Sequence, residues 1–150
     1  MGLDMYLYAK RYVSEYSPGD KALRSELDKL TELTGGFPIQ EVSCEVMYWR
    51  KANAIHKWFV KNVQDGVDNC ASHYVSRDKL EKLMELCKEV LDNHKKANDL
   101  LPTGSGFFFG AIDYDEYYFE ELQSTVTRLE RLFSNPEIMD NFQFEYQSSW

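Results

Sequence analysis

The chain is poor in most of what marks a secreted, fibrous or membrane-spanning protein. Among its 150 residues are three cysteines, Cys44, Cys70 and Cys87, with no Cys-x-x-Cys spacing. Three cannot all pair, so a disulfide framework is excluded, and the expectation is three reduced thiols packed as small core residues. Four prolines and eight glycines are too few for a proline-rich or low-complexity tract, and no repeat or linker breaks the order of elements. No apolar run reaches the length of a bilayer span, and the opening residues carry no secretory-leader pattern. The Met-Gly start fails as a myristoylation site because Tyr6 stands where Ser or Thr is required. A soluble, cytoplasmic protein with no membrane partner is therefore expected. Basic residues are scarce too: 17 Lys and Arg against 25 Asp and Glu leave a formal net charge of −8. A general nucleic-acid binder needs a broad basic face, so nucleic acid is not expected as a partner.

What is present is apolar and aromatic. Hydrophobic residues are 43% of the chain and aromatics 15%. The length suits one domain, residues 1–150, with a single sizeable core. So many rings in a chain this small place some of them on a binding surface.

The stretch YWRKANAIHKWFVKNV, Tyr48 to Val63, organises the rest. At ~100° per residue, Trp49, Ala52, Ile55, Phe59, Val60 and Val63 fall on one helical arc, with His56 near its middle and Asn53 at its margin. The switch from two-residue alternation to helical spacing at Tyr48 predicts a strand running directly into a helix that holds Arg50 to Val63. A polar residue on such an arc must be satisfied, since an unpartnered imidazole costs a few kcal/mol out of water. Two readings stay open. One is a core histidine bonded to its neighbours. The other is a ligand pocket walled by Trp49, with Asn53 and His56 pointing in and Arg50 and Lys51 beside free helix-start N–H groups, a natural place for an anion.

Around this centre the periodicity is clear. Leu3, Met5, Leu7 and Ala9 alternate with Asp4, Tyr6, Tyr8 and Lys10 as a half-buried strand. Ser17-Pro18-Gly19-Asp20 starts a helix with a narrow Leu23, Leu27, Leu30 stripe, ended by Gly35-Gly36 and Pro38. Residues 39–48 form a strand with Val42, Cys44 and Val46 on one face. His73 to Val75 is a short strand, and Ser76 caps a helix with a core stripe of Leu80, Leu83, Met84, Cys87, Val90 and Leu91. His94 lies at its solvated end. Asp113 and Glu116 have capping-box spacing before a long helix striped by Tyr118, Leu122, Thr125, Val126, Leu129, Leu132 and Phe133. Asn135-Pro136 breaks that helix, and Phe142, Phe144 and Tyr146 alternate in a last strand. The fold class is α+β: a small, mostly antiparallel sheet packed against about four helices.

LLPTGSGFFFGAI, Leu100 to Ile112, sets Gly104, Ser105, Gly106 and Gly110 around three phenylalanines. Its glycines would admit a phosphate to the backbone, although the spacing is neither a Walker motif nor a dinucleotide fingerprint. The plainer reading is a turn beside a buried strand.

MGLDMYLY, YWRKANAIHKWFV, LLPTGSGFFFG, YDEYY and YQSSW together resemble a family of small bacteriophage and prophage proteins, from one end of the chain to the other. The resemblance implies a counter-defence factor acting in the host cytoplasm, a sponge that sequesters a nucleotide immune signal such as an ADP-ribose derivative or a cyclic nucleotide. The residues are compatible with that role. Trp49, Trp58 and the run from Phe107 to Phe109 can supply aromatic shelves, Arg50 and Lys51 with Gly104, Ser105 and Gly106 a phosphate anchor, and Asn53 and His56 directional hydrogen bonds. Two rivals remain: an inhibitor that binds a host defence protein directly, and a small hydrolase using His56 with Asp113 or Glu116. Neither a metal nor a cofactor is expected, and a homo-oligomer is left open.

Overall fold

A computed structural model describes residues 2–106 and 109–150. The chain opens with β1 (Asp4–Tyr12), whose Met5, Leu7 and Ala9 are fully buried while the alternate residues face outward. β2 (Glu41–Arg50), β3 (His73–Val75) and β4 (Gln143–Ser149) complete one sheet in the order β2-β1-β4-β3, with every pair antiparallel. Of the four helices with eight or more residues, α1 (Lys21–Asp28) buries none of its side chains, whereas α2 (Asn53–Asn62), α3 (Arg77–Asp92) and, after the single turn α4 (Ala97–Leu100), α5 (Glu116–Phe133) contribute to the core under the sheet. A short α6 (Pro136–Asn141) leads into β4. The predicted α+β architecture is thus present. None of these helices is long and apolar enough to cross a membrane.

One contiguous core joins Leu3, Met5 and Leu7 of the sheet to Ile55 and Phe59 of α2, Leu80 and Leu83 of α3, and Leu122 and Leu129 of α5. Each such side chain contributes roughly 1.5–3 kcal/mol by leaving water, which is why the alternating and helical stripes specify these elements so plainly.

Three boundaries and one strand register go beyond the sequence reading. First, β2 does not yield to helix at Tyr48. Its ladder with β1 continues through Trp49 and Arg50 to a bond from Lys51 N–H to the Leu3 carbonyl, 2.7 Å. Lys51 then takes a left-handed conformation, φ 58°, and α2 begins only at Asn53. Pairing with β1 overrides the helical spacing, so Trp49 is a strand residue. Second, a bulge shifts the register between Leu7 and Tyr8. Val42, Cys44 and Val46 share the inner face before it, and Met47 and Trp49 are the buried residues after it. Third, α5 is capped by Asp115, not Asp113. Asp115 is extended and its carboxylate accepts from Tyr118 N–H at 3.0 Å, so the chain enters the helix two residues later than the Asp113–Glu116 spacing suggests. Fourth, Asn135-Pro136 ends α5 but also starts α6, where Asn135 accepts from Ile138 N–H.

The Leu23, Leu27, Leu30 stripe fares differently. No residue from 14 to 40 is buried, and Leu30 is exposed. This excursion between β1 and β2 finds no core face to cover. It is held instead by polar ties: Arg11 to Asp20 at 2.7 Å, and Arg24 to the Ile39 carbonyl at 2.8 Å. The cysteines are all free, as expected, but only Cys87 lies in the core. Cys44 is half-buried and Cys70 is exposed, because it sits in the loop before β3 rather than on a packed stripe.

Candidate functional site

Three polar residues of the central stretch, Asn53, His56 and Lys57, line a cleft between α2 and the segment that follows α4. Asn53 is the first residue of α2 and only 4% exposed. Its amide nitrogen donates to the carbonyls of Phe109 (3.1 Å) and Ala111 (2.7 Å), and its oxygen accepts from Gly104 N–H at 3.0 Å. One amide therefore ties Gly104 on one side and Phe109 and Ala111 on the other to the start of α2. Gly110, at φ 87°, makes the close approach possible: a Cβ there would lie 3.2 Å from that of Lys51.

His56, one helical turn on and 1% exposed, is satisfied at both nitrogens. Nδ1 lies 2.7 Å from the Tyr146 hydroxyl and Nε2 3.1 Å from Asp68 Oδ2. Burial first, and the Asp68 charge second, hold the Tyr146 phenol well above its ordinary range, so it stays an O–H donor. Nδ1 is then the acceptor, and Nε2–H donates to the carboxylate. Trp150 donates its indole N–H to the other oxygen of Asp68 at 3.2 Å. Gln64, itself buried, holds the loop that carries Asp68 by donating to the Val67 and Asn69 carbonyls. The acidic partner of His56 is therefore Asp68. Asp113 precedes α5 and Glu116 is its first residue, and the ring's partners are Tyr146 and Asp68 instead.

The cleft has a volume of about 270 Å³ and is lined by Asn53, His56, Lys57, Val60, Asp68, Gly104, Ser105 and Phe109. Phe109 meets the His56 ring edge-on at 5.1 Å and Trp150 at 6.4 Å, giving an aromatic wall. Lys57 is exposed, with its ammonium 3.2 Å from the Thr103 carbonyl, and it also borders a neighbouring cleft of about 240 Å³ that holds Trp58 and Lys61. Ser105 and Gly106 are exposed at the rim.

The residues singled out from sequence thus divide. Asn53, His56, Gly104 and Ser105 are brought together, with Gly106 next along the chain. Lys51 lies on the far side of Asn53, in a small pocket of about 80 Å³ with Gly110, Tyr117 and Glu121. Burial raises the carboxyl pKa of Glu121 above its ordinary value. Trp49 is not a wall of the cleft. It is 2% exposed, its indole N–H donates to Thr125 at 2.8 Å, and its ring packs edge-on against Phe59. Arg50, next to it on the strand, is exposed, and its carbonyl accepts from Tyr117. Trp58 is buried and faces the neighbouring cleft. Phe107 lies outside the described residues. Among the described residues no three His, Cys, Asp or Glu side chains gather as a metal-ligand set. Of the phenylalanine run read as an aromatic shelf, Phe109 lines the cleft, while Lys57, Asp68, Gln64 and Trp150 were missed as members of this site. Lys57 was legible in principle, one residue from His56 on a helix, whereas nothing local ties Asp68 or Trp150 to it.

No protein-family model, curated protein or solved structure matches this chain.

Proposed function

We propose that the chain binds a small phosphate-bearing ligand of nucleotide type in the cleft that α2 forms with Gly104, Ser105 and Phe109, and holds it without turning it over. The observation that carries this reading is the cleft itself: a lysine, an exposed Ser-Gly backbone and an aromatic wall meet in a volume suited to part of a nucleotide. Lys57 takes the anchoring role, the ring of Phe109 offers a face for a base, and Asn53 fixes the loop so that it is in place before the ligand arrives. Preorganisation of this kind lowers the ordering cost of binding. His56 serves the wall rather than chemistry, since both ring nitrogens are engaged and the ring is buried. With the phage-family resemblance, the reading becomes a counter-defence sponge for an ADP-ribose derivative or a cyclic nucleotide.

A release assay tests it. The chain is incubated with each nucleotide, separated from free ligand, denatured by heat, and the supernatant analysed by chromatography. The sponge returns the nucleotide intact. Altered products would establish the hydrolase instead, and no capture of any nucleotide would remove the ligand reading.

Direct binding to a host defence protein is a second reading, favoured by a separate observation. Tyr16, Leu33 and Phe37 of the 14–40 excursion are 92%, 84% and 76% exposed, an unusual apolar display for a small domain. Crosslinking through this excursion to a host protein would support it.

A further inference from the structure

β2 forms one edge of the sheet, and the two halves of that edge differ. The ladder to β1 fixes which main-chain groups point away from it. Lys51 N–H is bonded to the Leu3 carbonyl at one end, and Val13 N–H to the Gln40 carbonyl at the other. Alternation from each anchor, with the slip at the bulge, turns Tyr48 and Arg50 outward at one end and Glu41, Ser43 and Glu45 outward at the other. The first pair is covered: Arg128 donates to the Tyr48 carbonyl and Tyr117 to the Arg50 carbonyl. Glu41, Ser43 and Glu45 are exposed, and among the described residues no other strand pairs with them.

We propose that this open half, Glu41 to Glu45, receives an extended segment of a partner protein as a fifth strand, with Lys or Arg at the alternate positions that share the outer face of the sheet. The cleft beside α2 plays no part in this. Charge selects the occupant. The outward side chains of the edge are Glu41, Ser43 and Glu45, and neither glutamate makes an ion pair among the described residues. Each stands across the ladder from a tyrosine, Glu41 from Tyr12 and Glu45 from Tyr8. A carboxylate beside an aromatic ring suits an ammonium or guanidinium group. Next to the same edge lies a mixed cleft of about 440 Å³, lined by Val46, Met47, Leu132 and Ile138 but also by Arg128 and Arg131, so an apolar residue of the alternating segment suits that side better than a basic one. A second copy of this chain fits poorly, because antiparallel self-pairing centred on Ser43 sets Glu41 opposite Glu45 twice, and like charges directly opposite are destabilising.

The test is fluorescence anisotropy of the full chain with a labelled, end-blocked peptide, Thr-Lys-Val-Lys-Val-Lys-Thr, and with its counterpart carrying Glu at each Lys. The basic peptide is expected to bind saturably and the acidic one not. Glu41→Gln and Glu45→Gln should each weaken binding roughly two- to fivefold, the worth of a solvent-exposed ion pair. Ser43→Pro removes an N–H that points away from β1, so it should leave the ladder intact and cost more than about tenfold in affinity. Should that variant fail to fold, the Glu41→Lys, Glu45→Lys double variant decides, because it must exchange the preference towards the acidic peptide. Equal binding of both peptides, no binding of the basic one, or a self-association in sedimentation that Ser43→Pro abolishes would each overturn the proposal.

Discussion

Two regions of this molecule break the usual inside–outside rule in opposite directions. At the start of α2, an asparagine and a histidine sit in the core among large apolar side chains. In the 14–40 excursion, a tyrosine, leucines and a phenylalanine stand in water. The first region meets its cost by geometry: every side-chain polar atom of Asn53 and His56 has a protein partner. The second has no such compensation inside the chain. Buried polar groups that are fully satisfied hold parts of a protein in register, and here they hold a loop and a tyrosine. Exposed apolar groups with no cover point outward to something else. One region therefore shapes a site, and the other presents a surface.

The comparison breaks most visibly at His56. His56→Ala removes the ring nitrogen that faces the buried Tyr146 hydroxyl, deprives Asp68 of one of its two donors and opens a cavity, so a loss of about 3 kcal/mol is expected, read as a lower urea midpoint at unchanged slope. A wild-type midpoint would mean that the ring is not the keystone described. Asn53→Ala comes next, at about 2 kcal/mol. Its signature is local: amide exchange should quicken at 104–106 and 109–111 while α3 and α5 keep their protection. Uniform quickening would show that the clamp supports the whole domain rather than the loop. Asp115→Ala should cost about 1 kcal/mol as a lost helix cap, and Asp113→Ala much less. The reverse order would restore the Asp113 cap read from sequence. In the exposed region, Leu33→Ser and Phe37→Ser should each move stability by less than about 0.5 kcal/mol. A larger loss would mean that the excursion is packed in solution.

A comparably small effect is electrostatic. The Glu145 carboxyl is held below its ordinary range by hydrogen bonds from Lys10 first and Ser72 second. A depressed carboxyl adds stability that is present above its unfolded pKa and lost as pH falls through the folded one. Glu145→Gln should therefore flatten part of the acid-side decline, by less than about 1 kcal/mol for so accessible a pair, and leave the neutral-pH slope alone. An unchanged acid limb would place the acid sensitivity elsewhere.

How much of this was legible from sequence follows from which interactions are local. Leu3, Met5, Leu7 and Ala9 alternate because one sheet face is buried, and the α3 and α5 stripes repeat because one helix face is, so these elements were readable without a structure. The need to satisfy His56 was readable too. Its partners were not, for Tyr146 is ninety residues away and Asp68 reaches the ring from a loop that Gln64 holds. Trp49 misled for a related reason: its spacing fits a helix, but pairing with β1, a long-range interaction, keeps it in the strand. The 14–40 stripe carries the opposite lesson. Periodicity reports which face a helix could bury, not whether anything is there to cover it.

The most direct test of the account is titration calorimetry of the intact chain against a panel of ADP-ribose and cyclic-dinucleotide ligands, repeated with Lys57→Ala. Lys57 is exposed and supports no core residue, so the variant should melt with the wild type. The account predicts stoichiometric binding of at least one nucleotide, weakened roughly tenfold or more in the variant, as loss of a charged hydrogen bond requires. A nucleotide that binds both proteins equally would place its site away from the α2 cleft, and a panel that binds neither would contradict the central claim.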